Sequence, residues 1–192
     1  MGELDLIKPY IELKGTVFFG RLNMKPGKPT TFGRIGNTLM LALPGNPVSC
    51  FVTASLFLLP ILSIIKGKRG PCSDEHQRIH AQLVPSQVKL DPIRPEYHRC
   101  RVYQDSSTMR YYAVSTGAQQ SSRLLSALDA SGLALLPASK SGETYRCKGQ
   151  TTVVLIGGVA SVGPEYISTL LESDKTVLKS DGCSGACGKQ EA

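Results

Sequence analysis

Apolar residues fall into two regimes along this chain. Up to about residue 70 they come in long runs, and after Gly70–Pro71 they come in short segments that alternate with polar positions. In the first regime "LDLIKPYIELK" (4–14) reads as a helix with a break near Pro9, ended by Gly15. "TVFFGRL" reads as a strand, "NMKPGKPTTFG" as a basic loop, and "TLMLAL" (38–43) as a strand buried on both faces. A corner, Pro44-Gly45-Asn46-Pro47, then leads into Val48–Ile65, eighteen uncharged residues. Asn46 suits an N-cap, Pro47 the first helical position and Gly67 a C-terminal stop. Strand, tight loop and buried helix make half of a βαβ unit, so the first regime reads as the end of an α/β domain.

The second regime has strand-like runs at 78–84, 96–103, 111–115, 132–136 and 151–157, separated by Gly/Pro/Ser turns. That spacing predicts a small antiparallel sheet or barrel, interrupted by one helical stretch, "SSRLLSAL" (121–128). From about Ser161 the composition turns polar and predicts disorder. The fold class is therefore α/β plus all-β, divided as 1–70, 71–160 and a tail at 161–192.

Composition changes this picture little. With 192 residues and 41% apolar content an ordinary core is available, and 22 Lys/Arg against 15 Asp/Glu give a net charge of +7. The basic residues are scattered, which favours small anions over nucleic acid. Val48–Ile65 sits at the lower edge of membrane-spanning length, but its Ser, Thr and Pro content and its caps predict a buried soluble-type helix, covered in part by a second subunit. Six irregularly spaced cysteines predict a reducing, cytoplasmic setting, and "CSGAC" reads as unstructured tail. "HQRIH" (His76, His80) reads as two solvated imidazoles.

The corner at 44–47 is the candidate chemistry. Its prolines fix φ, Gly45 permits positive φ and Asn46 tolerates it; the helix start beyond offers unpaired amides and a positive dipole end to an anion. Arg21 and Lys25, four residues apart, and Lys28 add positive charge at one rim. Arg99 projects from a strand in "PEYHRC", and "STGAQQSSR" supplies Ser115, Thr116, Ser121 and Ser122. Together these predict an oxyanion site whose anion the spacing does not name, and no general acid or base is evident.

"LPGNPVS" after "MKPGKPTTF", then "LDPIRPEYHRC" and "STGAQQSSRLLSALDASGLALLP", resemble the molybdopterin molybdenumtransferase family: bacterial MoeA and the E domain of gephyrin. The resemblance runs from "MGELD" to about Gly157, with the motifs in the family's order and closest to the eukaryotic branch. It implies the C-terminal part of a MoaB/MogA-like α/β/α domain followed by a β-barrel. The implied reaction inserts molybdate into adenylylated molybdopterin and releases AMP, with Mg²⁺ assisting. In the family pattern Asp5 matches the Mg²⁺ region, and Arg21 and Lys25 the basic pair near substrate. Pro44 and Pro47 match the rigid loop, while Arg99 and Ser121 match residues that hold molybdate. Ala118 stands where relatives carry Asn or His.

The resemblance starts inside the family's third subdomain, so a fragment, with little or no activity alone, is expected. It also implies a homodimer whose site lies between protomers. Two alternatives follow: a gephyrin-like scaffold binding a receptor-loop peptide, with Tyr97 and Pro137 matching groove positions, or a non-catalytic truncated isoform.

Overall fold

A computed structural model of the chain describes residues 6–67, 77–85, 87–122, 124–139, 144–146 and 150–180. Helix α1 (Ile7–Lys14) spans the predicted segment and stops before Gly15, burying Ile11 against the sheet beside it. That sheet is a meander of β1 (Thr16–Gly20), β2 (Thr31–Ile35) and β3 (Thr38–Ala42), antiparallel throughout. Two corrections follow. The end of the expected basic loop is strand β2, and β3 is exposed or half-buried along its length instead of buried on both faces. Among the described residues β3 pairs with β2 alone, and no parallel βαβ unit includes it.

The long apolar helix forms as expected but is not uniform. It runs as α2 (Pro47–Thr53), a π-helical turn (Ala54–Leu58) and α3 (Leu59–Ile65). Pro60 has no N–H to return to the preceding turn, and the chain widens just before it, with the Leu59 amide donating to the Ala54 carbonyl. Gly67, at φ +79°, ends the helix as expected. By length and composition Pro47–Ile65 could cross a membrane. In this fold one stripe of it, Val48, Val52 and Leu56, packs against the barrel described next. Away from that stripe Phe51, Leu59, Leu62, Ile64 and Ile65 are exposed in the single chain, where the expected second subunit would lie.

The strands expected after residue 77 all form. They are β4 (Arg78–Val84), β6 (Glu96–Asp105), β7 (Tyr111–Ser115), β8 (Gly132–Leu136) and β10 (Gln150–Leu155). The ring β6-β7-β4-β10-β8 closes on itself because β8 pairs back onto β6. Closure removes the sheet edges that a five-stranded open sheet would expose. One pair, β4–β7, is parallel. Inward positions alternate with outward ones, so Ile79, Ala81, Leu83, Cys100, Val102, Ala113, Ala134, Leu136 and Val153 fill the interior. Burial pushes the Cys100 thiol up to about 12, so it is an inert packing group. A short ribbon, β5 (Gln87–Lys89) with β9 (Thr144–Arg146), was not expected from the sequence.

The outer face of the barrel is covered twice. On one flank Leu133 and Val154 meet Val48, Val52, Met24 and Ala127, the last from α4 (Leu125–Leu128). On the other, β11 (Ala160–Val162) adds in parallel to β6, and α5 (Pro164–Ser180) lays Ile167, Leu170 and Leu171 on Val84, Tyr103 and Tyr112. The expectation of disorder from Ser161 is thus corrected as far as Ser180. The low overall hydropathy there hides an amphipathic stripe at helical spacing. The CSGAC segment and His76 lie outside the described residues.

Candidate active site

A cleft of about 860 Å³ opens where the β1–β2 loop, the start of α2, the β5–β6 loop and the 117–122 segment meet at the mouth of the barrel. Lys25 anchors the β1–β2 loop to β6: its amide donates to the Pro95 carbonyl (2.9 Å), and its carbonyl accepts from the Tyr97 amide (2.8 Å). Asn46 and Ser49 enter from the helix start, and the Asn46 side-chain amide donates to Ser121 Oγ (3.1 Å), joining the corner to the 117–122 segment. Gln119 fixes that segment by accepting from the Arg99 amide (2.8 Å) and donating to the Gly117 carbonyl (2.9 Å).

Among the described residues four cations line this cleft: Lys25, Lys28, Lys89 and Arg94. Two are partly neutralised. Lys25 Nζ lies 3.0 Å from Glu96 Oε2 and 3.7 Å from Asp91 Oδ2, and Arg94 Nη2 lies 3.4 Å from Asp91 Oδ2. Burial works against the charged form of Glu96, but hydrogen bonds from His98 and Lys25 outweigh it and hold its pKa below the ordinary carboxylate range. Desolvation likewise opposes the Asp91 carboxylate and is outweighed by the Ile93 and Arg94 amides, so its pKa is also lowered. Groups depressed on folding contribute stability above their unfolded value, and that contribution disappears as pH falls through the folded one. The thermal midpoint is therefore expected to hold steady above about pH 5 and drop below about pH 4, around the ordinary carboxylate values. Glu96→Gln should start lower at neutral pH and lose less on acidification, which a melting series over pH 3–7 would check.

The sequence-level candidates divide on this geometry. Lys25, Asn46, Ser121 and Ser122 line the cleft together. Arg21 lies outside it, exposed in the turn after β1 at φ +66°. Pro44 is buried behind the corner, and Gly45 and Pro47 are exposed without lining the cleft; none of residues 44–47 has positive φ. Asn46 occupies the N-cap position, but its side chain makes no cap bond. Ser115 and Thr116 lie beside the cleft, not on its wall. Asp5 lies outside the described residues.

Arg99 needs the largest correction. It is fully buried on the face of β6 opposite Glu96 and His98, with Nε donating to Ser126 Oγ (3.0 Å) and Nη1 and Nη2 without partners. It is not part of the cleft, because neighbouring strand positions point to opposite faces. The guanidinium that does line it is Arg94, five residues earlier, where an Asp91 carboxylate turn in "LDPIRP" aims the loop inward. Lys89, Glu96, His98 and Gln119 were also missed; the Asp-x-x-Arg spacing was the one readable sign. Tyr97, matched to a receptor groove, instead packs half-buried in the core under α2.

Residues 83–150 match the family model of the MoeA C-terminal region (domain IV). The chain carries a MoeA C-terminal domain. Relatives extend beyond that domain. Over 156 residues the chain is 42% identical to "Gephyrin" of Dictyostelium discoideum, covering 71% of this chain and 22% of that protein. Over 154 residues it is 41% identical to "Molybdenum cofactor synthesis protein cinnamon" of Drosophila melanogaster, covering 76% and 25%. It thus spans about a quarter of these relatives. A solved molybdopterin biosynthesis MoeA protein from Pyrococcus horikoshii matches at TM-score 0.61 and 26% identity, over 80% of this chain and 35% of that one. The MoeA C-terminal domain corresponds to the barrel, and the cleft lies where it meets the meander and α2.

Proposed function

We propose that this chain forms the anion-holding cleft of a molybdopterin molybdenumtransferase, acting in molybdenum cofactor biosynthesis by binding molybdate and adenylylated molybdopterin while molybdate is inserted and AMP released. The observation that carries this reading is the convergence of Lys25, Lys28, Lys89 and Arg94 with Asn46, Ser121 and Ser122 around one open cleft. Molybdate is a dianion, and the phosphates of the pterin substrate are anionic as well. Arg94 presents a planar pair of donors to an oxyanion, and the lysines supply mobile point charges. Ser121, held by Asn46, offers a hydroxyl that can turn towards an oxygen.

Magnesium does not fit the described part of the cleft. Its carboxylates, Asp91 and Glu96, are already engaged by Lys25, Arg94 and His98, and among the described residues there is no group of three or more His, Cys, Asp or Glu that could hold a metal. No step is therefore assigned to Mg²⁺. The exposed apolar faces of α2 and α3 support the further reading that the working form is a homodimer.

The test is an insertion assay on the chain supplemented with the remaining subdomains of a family member, with adenylylated molybdopterin and molybdate, read as AMP release. Arg94→Ala is expected to abolish the molybdate-dependent part while Arg21→Ala leaves it unchanged. Equal loss in both, or no dependence on molybdate, contradicts the reading.

A further inference from the structure

We propose that Gln119 is a positioning residue for the anion in the cleft. Its side chain stands in for a missing rung of the barrel ladder, and so holds the Ser121 hydroxyl where a bound oxyanion can use it. This deepens the molybdate reading and rests on it.

The need for such a residue follows from how β7 ends. The β6–β7 ladder runs as far as Cys100 opposite Ser115, and one position further the Thr116 amide donates to the Arg99 carbonyl (3.2 Å). An antiparallel pair of this kind exchanges two bonds, so the Arg99 amide should find its acceptor on the backbone of β7. The chain turns away there at Gly117, which stands at φ +86°. The Arg99 amide donates to Gln119 Oε1 (2.8 Å) instead. Gln119 Nε2 donates to the Gly117 carbonyl (2.9 Å), with longer contacts to the Arg99 carbonyl (3.3 Å) and Thr116 Oγ1 (3.4 Å). A primary amide offers one acceptor oxygen and two N–H donors, so it serves Arg99 as a peptide group would. On a residue as buried as Arg99, an amide left without a partner would be costly.

Gln119 lies on the cleft wall, but its oxygen and both its N–H groups are taken, so it acts on an anion through its neighbours. Two residues on, Ser121 lines the same wall, and its Oγ accepts from the Asn46 side-chain amide (3.1 Å). That bond occupies an oxygen lone pair and leaves the hydroxyl proton to donate. The 117–122 segment is therefore tied at two points, to β6 by Gln119 and to the start of α2 by Asn46. A hydroxyl ordered beforehand binds an oxyanion without the entropy loss of being ordered on contact. A glutamine that merely closed its own loop would make the same bonds; the place of Ser121 on the cleft wall is what gives this one a role in binding.

The experiment is calorimetric titration of the full chain with molybdate, comparing Gln119→Ala, Ser121→Ala and the double variant. Each single substitution is expected to weaken binding about tenfold, the equivalent of one hydrogen bond. The double variant should be no weaker than either single one, because Gln119 acts through Ser121. Gln119→Ala combined with Lys28→Met is the reference pair, whose losses should multiply. Losses that multiply for Gln119 and Ser121 as well, or a Ser121→Ala chain that binds like the unaltered one, overturn the proposal. A reference pair that fails to multiply overturns it too, since Gln119 would then be supporting the whole cleft. Should Gln119→Ala fold poorly, hydrogen exchange in the unaltered chain decides. Binding and closure of the Gln119 bond must favour each other equally, so saturating molybdate is expected to slow exchange of the Arg99 amide about tenfold. Molybdate binding with unchanged exchange overturns the role of Gln119 and leaves the cleft reading intact. Absence of molybdate binding overturns the cleft reading, and the role of Gln119 with it.

Discussion

Lys25→Met is expected to weaken molybdate binding by roughly 10- to 150-fold, the equivalent of a charge-assisted hydrogen bond of about 1.5–3 kcal/mol. The same substitution should lower stability, because Lys25 is the lysine nearest to Glu96, a carboxylate that is almost completely buried. Removing one partner of such a pair leaves an under-compensated charge. His98 remains bonded to Glu96 and limits that loss. Lys28→Met provides the contrast: this side chain is exposed and has no ion pair among the described residues, so it should weaken anion binding with no shift in melting temperature. Calorimetry and thermal melts on both variants check the prediction. Equal binding by Lys25→Met and the unaltered chain would remove Lys25 from the site.

Gly132→Ala is expected to be the most damaging single methyl group in the barrel. Gly132 begins β8 where that strand meets both β6 and β10, opposite Cys100 and Leu155. A Cβ there would lie 2.6 Å from Val102 Cγ2, 2.7 Å from Val153 Cγ1 and 3.3 Å from Cys100 Sγ. All three belong to fully buried residues of a closed ring, which cannot widen at one strand without disturbing the rest. Overpacking of this kind costs about 1–3 kcal/mol, and a closed barrel should place it at the upper end. Chemical denaturation reads the loss directly. The double variant Gly132→Ala with Val102→Ala should recover part of it, since the two sites share one space. Full additivity would place the strain elsewhere.

These two positions show what the sequence made legible. The barrel strands could be read because their alternation is local: Ile79, Ala81 and Leu83 announce an inward face without knowledge of partners. Closure could not, since the pairing of β8 with β6 joins segments far apart in the chain. Strand β2 escaped notice because "TTFGRI" carries a glycine and an arginine in so short a run. Helix α5 escaped because its apolar stripe is embedded in charged residues.

For the site, residue types were legible and facing was not. The basic loop, the proline corner and the serine segment do meet, with Asn46 touching Ser121 across 75 positions of sequence. The choice between Arg94 and Arg99 depended on whether the guanidinium projects from the loop before β6 or from its outward face. Pattern alone cannot decide that, because both faces of β6 are largely buried and the period-two signal is lost. His98 was hidden for the same reason.

Crystals of the chain grown with molybdate, with anomalous diffraction recorded at the molybdenum absorption edge, test the central claim most directly. A single strong peak between Lys25, Arg94 and Ser121 is the predicted result. A peak beneath α4 beside Nη1 and Nη2 of Arg99, or none in the cleft at saturating molybdate, would contradict it.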